Sequence, residues 1–370
     1  MKILIVSGGH LPIPAYKGGA VENLITMYLD ENEQKFHNNI DVISCPSISN
    51  TREYKYSNII VIKTGIVGKI YYKIKRILKN ENKINAFMYK SLYFLKKSKK
   101  QYDIILCENE PDFCIKLNNI YNGKVILHLH NDFLYENVKN YNKVINSTKK
   151  IICVSKFIKT RVNSDKAFVC YNGIDYNNFE YDEKRVNDLK NRLNINDNDF
   201  VFVYAGRIVF EKGVNELVKS FNKLNKKYKN IKLIIIGAPV FKNKNNNYLY
   251  EKIKNDNNEN IICTGFIKNN NIKDYYYLSN IQVTPSIVNE AFGLTAVEAL
   301  ATGLRVISTN SGGLPELINS KNGVIIDKEN LENNLYDAME NEILNKKSKK
   351  IERKYSKENY AETLNNLLIK

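Results

Sequence analysis

TPSIVNEAFGLTAVEALATGLRVISTNSGGLP, residues 284–315, sets the reading of the whole chain. A short apolar strand over 281–284 runs into a loop that carries Glu290. A helix is expected from about Phe292 and Gly293 to Gly303, a glycine suited to a left-handed cap. A second strand over 305–309 then delivers the loop Asn310-Ser311-Gly312-Gly313. The helix is apolar on almost every side (Leu294, Ala296, Val297, Ala299, Leu300, Ala301), and a helix of that composition lies between packed layers. Glu298 is its one charge between Glu290 and Arg305. Such a carboxylate must be paired or hydrogen-bonded, because burying it alone is costly. Two acids, one in the loop and one in the helix, thus flank a helix N-terminus, whose free N–H groups and dipole suit an anionic, hydroxyl-rich ligand. A pair of carboxylates would first suggest a general acid and base.

The chain has 370 residues, enough for about two domains, and its 43% hydrophobic content can fill a sizeable core. The apolar run at 3–6 is too short for a signal peptide. No run approaches the ~18 apolar residues of a membrane span. A cytoplasmic protein is therefore expected. Six cysteines (Cys45, Cys107, Cys114, Cys153, Cys170, Cys263) show no CxxC spacing and mostly sit in or beside apolar runs. Reduced core thiols are expected rather than disulfides or a metal site.

The net charge of +17 is uneven: residues 51–100 carry fourteen Lys and Arg against two Glu, a net +12, which equals the net charge of residues 1–175. The excess points to a local basic surface. Its centre, Gly65 to Asn80, reads GIVGKIYYKIKRILKN. Ile70, Tyr71, Ile74, Ile77 and Leu78 recur at helical spacing, with Lys69, Lys73, Lys75, Arg76 and Lys79 between them. Two readings fit: an amphipathic helix on an anionic membrane surface, or a solvated face over a packed stripe. No base-reading or stacking motif accompanies the charge, so nucleic acid is not expected as a partner.

Residues 2–7 read as a buried parallel strand, followed by a loop ending in Gly18-Gly19 and a helix from about 20 to 30. This is a mononucleotide-type strand–loop–helix start without dinucleotide GxGxxG spacing. Further strands are expected at 40–44, 59–63, 103–107, 124–129, 151–154 and 167–170, with helical patterns between most of them. Residues 179–198 are polar and fit a domain connection. The alternation restarts with strands at 200–204, 231–236, 261–264, 281–284, 306–309 and 324–326, and a helix over about 212–224. Alternating β and α elements imply α/β, doubly wound parallel sheets. The domains expected are 1–180, 181–345, and a C-terminal helical tail over 346–370.

The strand at 200–204 ends in Ala205-Gly206-Arg207 and leads through Lys212-Gly213 to a helix. Two cations at the C-terminal edge of a parallel sheet suit a diphosphate, or are surface charges at a helix start. His128 and His130 share a face by strand alternation, one expected at the sheet edge and the other packed. No acid or cysteine cluster completes a metal ligand set, so no metal is expected. Asp197-Asn198-Asp199 reads as a loop.

These pieces, in this order, resemble the family 4 retaining glycosyltransferases of the GT-B fold over essentially the whole chain. Glu290 through Glu298 is similar to the family's Glu-x7-Glu signature, and Arg207 and Lys212 to its phosphate-binding pair. Asn172-Gly173-Ile174-Asp175 with Phe179, Gly18-Gly19 with Glu22, and the run from Ser311 to Glu316 are similar to other family segments. The opening LPIPAYKGGAVE is similar to transferases associated with spore-coat or surface polysaccharides.

The resemblance implies two Rossmann-like domains facing across a cleft, the first on the acceptor side and the second binding a nucleotide sugar, with the tail crossing back to the first. It implies that Glu298 binds the ribose, Glu290 the donor sugar, and Arg207 and Lys212 the diphosphate. Backbone amides at Phe292, Gly293 and Leu294 and the Gly18-Gly19 loop would assist. Thr264, Phe266 and Ile267 would lie beside the base, and His130 near the sugar's 6-hydroxyl. Catalysis would rest on His130, Arg207, Lys212 and Glu290, without a metal or other cofactor. The expected partners are a UDP-hexose or UDP-N-acetylhexosamine donor, a glycan or lipid-linked acceptor in surface polysaccharide synthesis, and an anionic membrane surface on its inner face. The alternatives are another GT-B activity, such as sugar-nucleotide epimerisation, and a catalytically silent polysaccharide-assembly protein.

Overall fold

The computed structural model describes residues 1–16, 18–47, 52–65, 85–239, 244–345, 351 and 353–370. Apart from Gly65, the basic segment around Gly65 to Asn80 lies outside the described residues. The chain divides into two compact units, one of Met1–Gly173 with Tyr355–Lys370, the other of Ile174–Lys354.

The first unit is a parallel sheet of β1 (Lys2–Val6), β2 (Asn39–Ser44), β3 (Ser57–Val61), β4 (Ile104–Glu108), β5 (Lys124–Leu129), β6 (Lys150–Cys153) and β7 (Ala167–Val169). Their order is β3-β2-β1-β4-β5-β6-β7, every neighbouring pair parallel. Central strands such as IILCE of β4 are buried throughout, which is why they read as continuous apolar runs. The helix Ala20–Glu31 covers one face with Leu24, Ile25, Tyr28 and Leu29. The helix Lys357–Ile369 packs into the same core through Tyr360, Ala361, Leu364 and Leu368, and Tyr28 Oη donates to Asn365 Oδ1 at 3.1 Å.

The second unit is a parallel sheet of β8 (Phe200–Ala205), β9 (Ile231–Ile236), β10 (Ile261–Gly265), β11 (Ile281–Thr284), β12 (Arg305–Thr309) and β13 (Gly323–Ile326), ordered β10-β9-β8-β11-β12-β13. In its core Phe202 of β8 and Leu233 of β9 pack with Leu217, Phe221 and Leu224 of the helix Val214–Lys227. Both sheets reverse their strand order beside the first strand of the unit, as doubly wound sheets do.

Most strands lie within two residues of their expected places. One segment differs in kind. Residues expected to be a polar connection contain the helix Glu183–Arg192, capped by Asp182, whose side chain accepts from Arg185 N at 3.0 Å. Only Val186 and Leu189 of this helix are buried, too thin an apolar stripe to stand out in a polar sequence. All six cysteines are free thiols. No described helix is long and apolar enough to cross a membrane.

Candidate active site

In the second unit the strand order reverses between β8 and β11, the place where open α/β sheets bind ligands beyond their strand ends. The loops leaving these two strands are tied together. Ile287 N donates to Glu211 O at 2.9 Å. Gly213 has φ 68°, and a Cβ there would lie 1.9 Å from Pro285 O, so only glycine lets the backbones come this close. The tie brings Lys212 Nζ onto Glu290 Oε1 as an ion pair, both side chains less than one-fifth exposed. Ser286 Oγ donates to the same oxygen at 2.8 Å. Gly313 N donates to Glu290 O at 2.8 Å, so the loop after β12 holds the backbone of the acid while Ser286 and Lys212 hold its carboxylate.

The helix Leu294–Ala301 starts four residues beyond Glu290, behind Gly293 at φ 108°. No side chain caps its first turn, and Phe292 is buried beside it. Glu298 is half-buried, and its Oε2 accepts from Tyr276 Oη at 3.2 Å. Burial of the carboxyl pushes its pKa up to about 7, against the downward pull of the Tyr276 hydroxyl. Arg207 is exposed at the end of β8, and its guanidinium makes no ion pair among the described residues. Its carbonyl accepts from Tyr204 Oη at 2.7 Å. Phe266 is 74% exposed just past β10, next to half-buried Thr264 and Ile267. Ile267 also lines a cavity of about 480 Å³ with Arg185, Arg192 and Asp274. The second unit's expected residues thus gather at one edge of its sheet. A cavity of about 760 Å³ lies at the other edge, where Phe200, Ile231 and Ile281 begin their strands, and none of the expected site residues lines it.

In the first unit the reversal falls between β1 and β4. Gly18 and Gly19 have positive φ and lead into the helix Ala20–Glu31. Burial raises the pKa of Glu22, in that helix's first turn, and Gly19 packs against its carboxylate. His10 Nε2 lies 3.6 Å from Glu110 Oε1, and its pKa is raised by that carboxylate.

His128 is fully buried within β5, and His130, just past the end of that strand at the sheet edge, is buried to 9% exposure. An acid from a neighbouring strand, Glu108, joins them in space. The β4–β5 register pairs Glu108 with His128. Glu108 Oε2 lies 2.8 Å from His130 Nε2 and 3.1 Å from His128 Nδ1. One potential ligand atom from each of the three residues falls within 4.8 Å of the others, which corrects the expectation that no acid completes a ligand set with the histidines. Burial alone would raise the Glu108 pKa; the two imidazoles outweigh it and hold the carboxyl at about 2. Burial, with His128 beside it, pushes His130 down to about 4. The sequence signal for Glu108 was a buried apolar strand run that closes on an acid.

Residues 186–359 match the family described as Glycosyl transferases group 1. The chain is 30% identical over 205 residues to a lipopolysaccharide 1,2-N-acetylglucosaminetransferase of Salmonella typhimurium, covering 53% of this chain and 51% of that protein. It therefore spans about half the length of that relative. It is 24% identical over 345 residues to spore coat protein SA of Bacillus subtilis, covering 88% and 85%. A crystal structure of Anabaena HepE in complex with UDP-glucose shares the fold, with a TM-score of 0.66 and 17% identity over 100% of this chain and 95% of that one.

Proposed function

We propose that this chain, of which residues 186–359 match the glycosyl transferases group 1 family, is a member of that family and moves a hexose or N-acetylhexosamine from a UDP donor to a glycan or lipid-linked acceptor in surface polysaccharide synthesis, with retention at the anomeric carbon. The observation that carries the reading is the meeting of Lys212 and Glu290 at the strand-order reversal, just ahead of the uncapped Leu294–Ala301 helix. An anion there meets a lysine, an exposed arginine and free helix N–H groups, while hydroxyls meet two carboxylates. The UDP-glucose bound by HepE supports a UDP donor, and the name of the Salmonella relative supports an N-acetylhexosamine as the transferred sugar.

In this reading Glu298 accepts from the ribose hydroxyls and Glu290 from the sugar. Phe266 lies against the base. Arg207, Lys212 and the helix dipole take up the charge that builds on the diphosphate as the sugar leaves, which is the main electrostatic demand of the reaction. They do this as fixed cations, with no metal required. The leaving phosphate assists deprotonation of an acceptor that attacks from the same face. This assigns neither Glu290 nor Glu298 as a general acid or base. His130, from the first unit, is assigned to the sugar's 6-hydroxyl.

A thermal-shift screen against UDP-, GDP- and dTDP-sugars, followed by a turnover assay on the donor that binds, tests the reading. Selective stabilisation by UDP-sugars is expected, because a ligand that binds only the folded state stabilises it by mass action. Absence of binding and turnover with every donor would defeat it in favour of a catalytically silent assembly protein. Interconversion of the sugar nucleotide without transfer would favour an epimerase.

A further inference from the structure

Glu108 stands outside the roles assigned above, and yet it is among the most deeply buried acids in the first unit, at 2% exposure. It closes β4, and its register partner His128 lies on β5 two residues before His130. The next residue, Asn109, adopts φ 59°, a left-handed conformation that asparagine tolerates better than most residues. From there Asn109 Oδ1 accepts from the backbone N–H of His130 at 3.0 Å, and Asn109 N donates to His128 O at 2.7 Å. Two consecutive residues at the end of one strand thus hold both the backbone and the ring of His130.

We infer that Glu108 is a positioning residue that holds His130 as the neutral Nε2–H tautomer and so fixes Nδ1 as the ring's free hydrogen-bond acceptor. The assignment follows from donor and acceptor inventory. An ionised carboxylate only accepts, so the 2.8 Å contact requires the proton on His130 Nε2. The ring's other nitrogen, Nδ1, is then a lone pair, and it is a buried atom with no partner among the described residues. His128 Nδ1 comes within 3.1 Å of the same oxygen without the alignment of a hydrogen bond, so the oxygen's aligned contact is with His130. A carboxylate held at about 2 stays an acceptor across the working pH range, and a His130 held at about 4 stays neutral. An imidazole that could flip tautomers would offer that acceptor only part of the time.

The effect on turnover rests on the transferase reading, but the first test does not. The chain has four histidines, few enough to assign each by substitution in a ¹⁵N–¹H correlation of the imidazole rings. His130 of the unmodified protein is expected to carry its proton on Nε2 at neutral pH. Glu108→Gln keeps the shape but offers either an amide oxygen or an NH₂ group, so His130 is expected to lose its single tautomer. Turnover of the donor should then fall about 10- to 100-fold, with the donor KM little changed. A proton on Nδ1 in the unmodified protein, or an unchanged tautomer and turnover in Glu108→Gln, would overturn the proposal. So would stoichiometric zinc that co-purifies with the protein and is lost in His128→Ala, because the three residues would then be metal ligands. If no nucleotide sugar is turned over at all, the transferase reading fails and the spectrum still decides the role of Glu108.

Discussion

Lys212 and Glu290 pair side chain to side chain although they leave different strands, Lys212 after β8 and Glu290 after β11. Each therefore holds the other in place. In the proposed reaction the lysine must turn part of its charge toward a diphosphate, and the acid must turn a carboxylate oxygen toward sugar hydroxyls. A ligand that supplies both an anion and donors can share this pair without leaving either group unpartnered, whereas a bare anion would compete with Glu290.

Lys212→Ala is expected to lower kcat about 100- to 1,000-fold, with a much smaller effect on UDP affinity. Its cation is needed most when charge collects on the leaving diphosphate. Steady-state kinetics beside calorimetric titration of UDP separates the two effects. Turnover and affinity that both match the unmodified protein would remove Lys212 from this role.

Glu298 provides a pH test. Burial sets its pKa at about 7, above the ordinary 4.5. Between these values the folded state holds a proton that the unfolded chain has released, so this group's contribution to stability falls as pH rises from about 4.5 through about 7. Ribose hydroxyls donate best to the ionised carboxylate, so UDP should bind more tightly as pH rises from about 6 to 8, with release of a proton below the midpoint. Glu298→Gln should flatten both slopes, in chemical denaturation and in UDP titration. A UDP affinity with the same pH dependence in both proteins would show that Glu298 does not meet the ribose. Glu298→Ala should weaken UDP binding at every pH.

Gly213→Ala places a Cβ where Pro285 O lies 1.9 Å away, at a φ of 68°. The strain should cost about 1–3 kcal/mol in urea unfolding. It should also separate the two loops and reduce kcat, since the Lys212–Glu290 pair depends on their approach. A variant as stable and active as the parent would show that the loops do not need this contact.

The basic segment predicts a lipid surface as a second partner. Fourteen Lys and Arg against two Glu within residues 51–100 should hold the protein on vesicles containing anionic lipid, with each cation near the surface contributing about 1 kcal/mol. Flotation should show binding at low salt and release at high salt. Failure to float with anionic vesicles at low salt would leave the segment as a solvated face.

Parallel strands announce themselves because both faces are buried, and runs such as those of β1, β4 and β9 stay apolar almost from end to end. The glycines and cations that follow β8 were readable for the same local reason: the loop is short, and its residue types are those that bring a backbone and an anion together. The helix Glu183–Arg192 was hidden because two buried side chains carry its packing and the cap at Asp182 does the rest.

The sequence by itself determined the alternation of strands and helices, the apolar helix that bears Glu298, and the order of charged residues along the chain, because each depends on neighbours a few positions apart. Tertiary structure alone decided that Lys212 pairs with Glu290, 78 residues away, and that Glu108 takes the ring of His130, 22 residues away. Those pairs follow from which strands lie side by side and in what register, and strand order is set by burial of the whole sheet rather than by any local pattern.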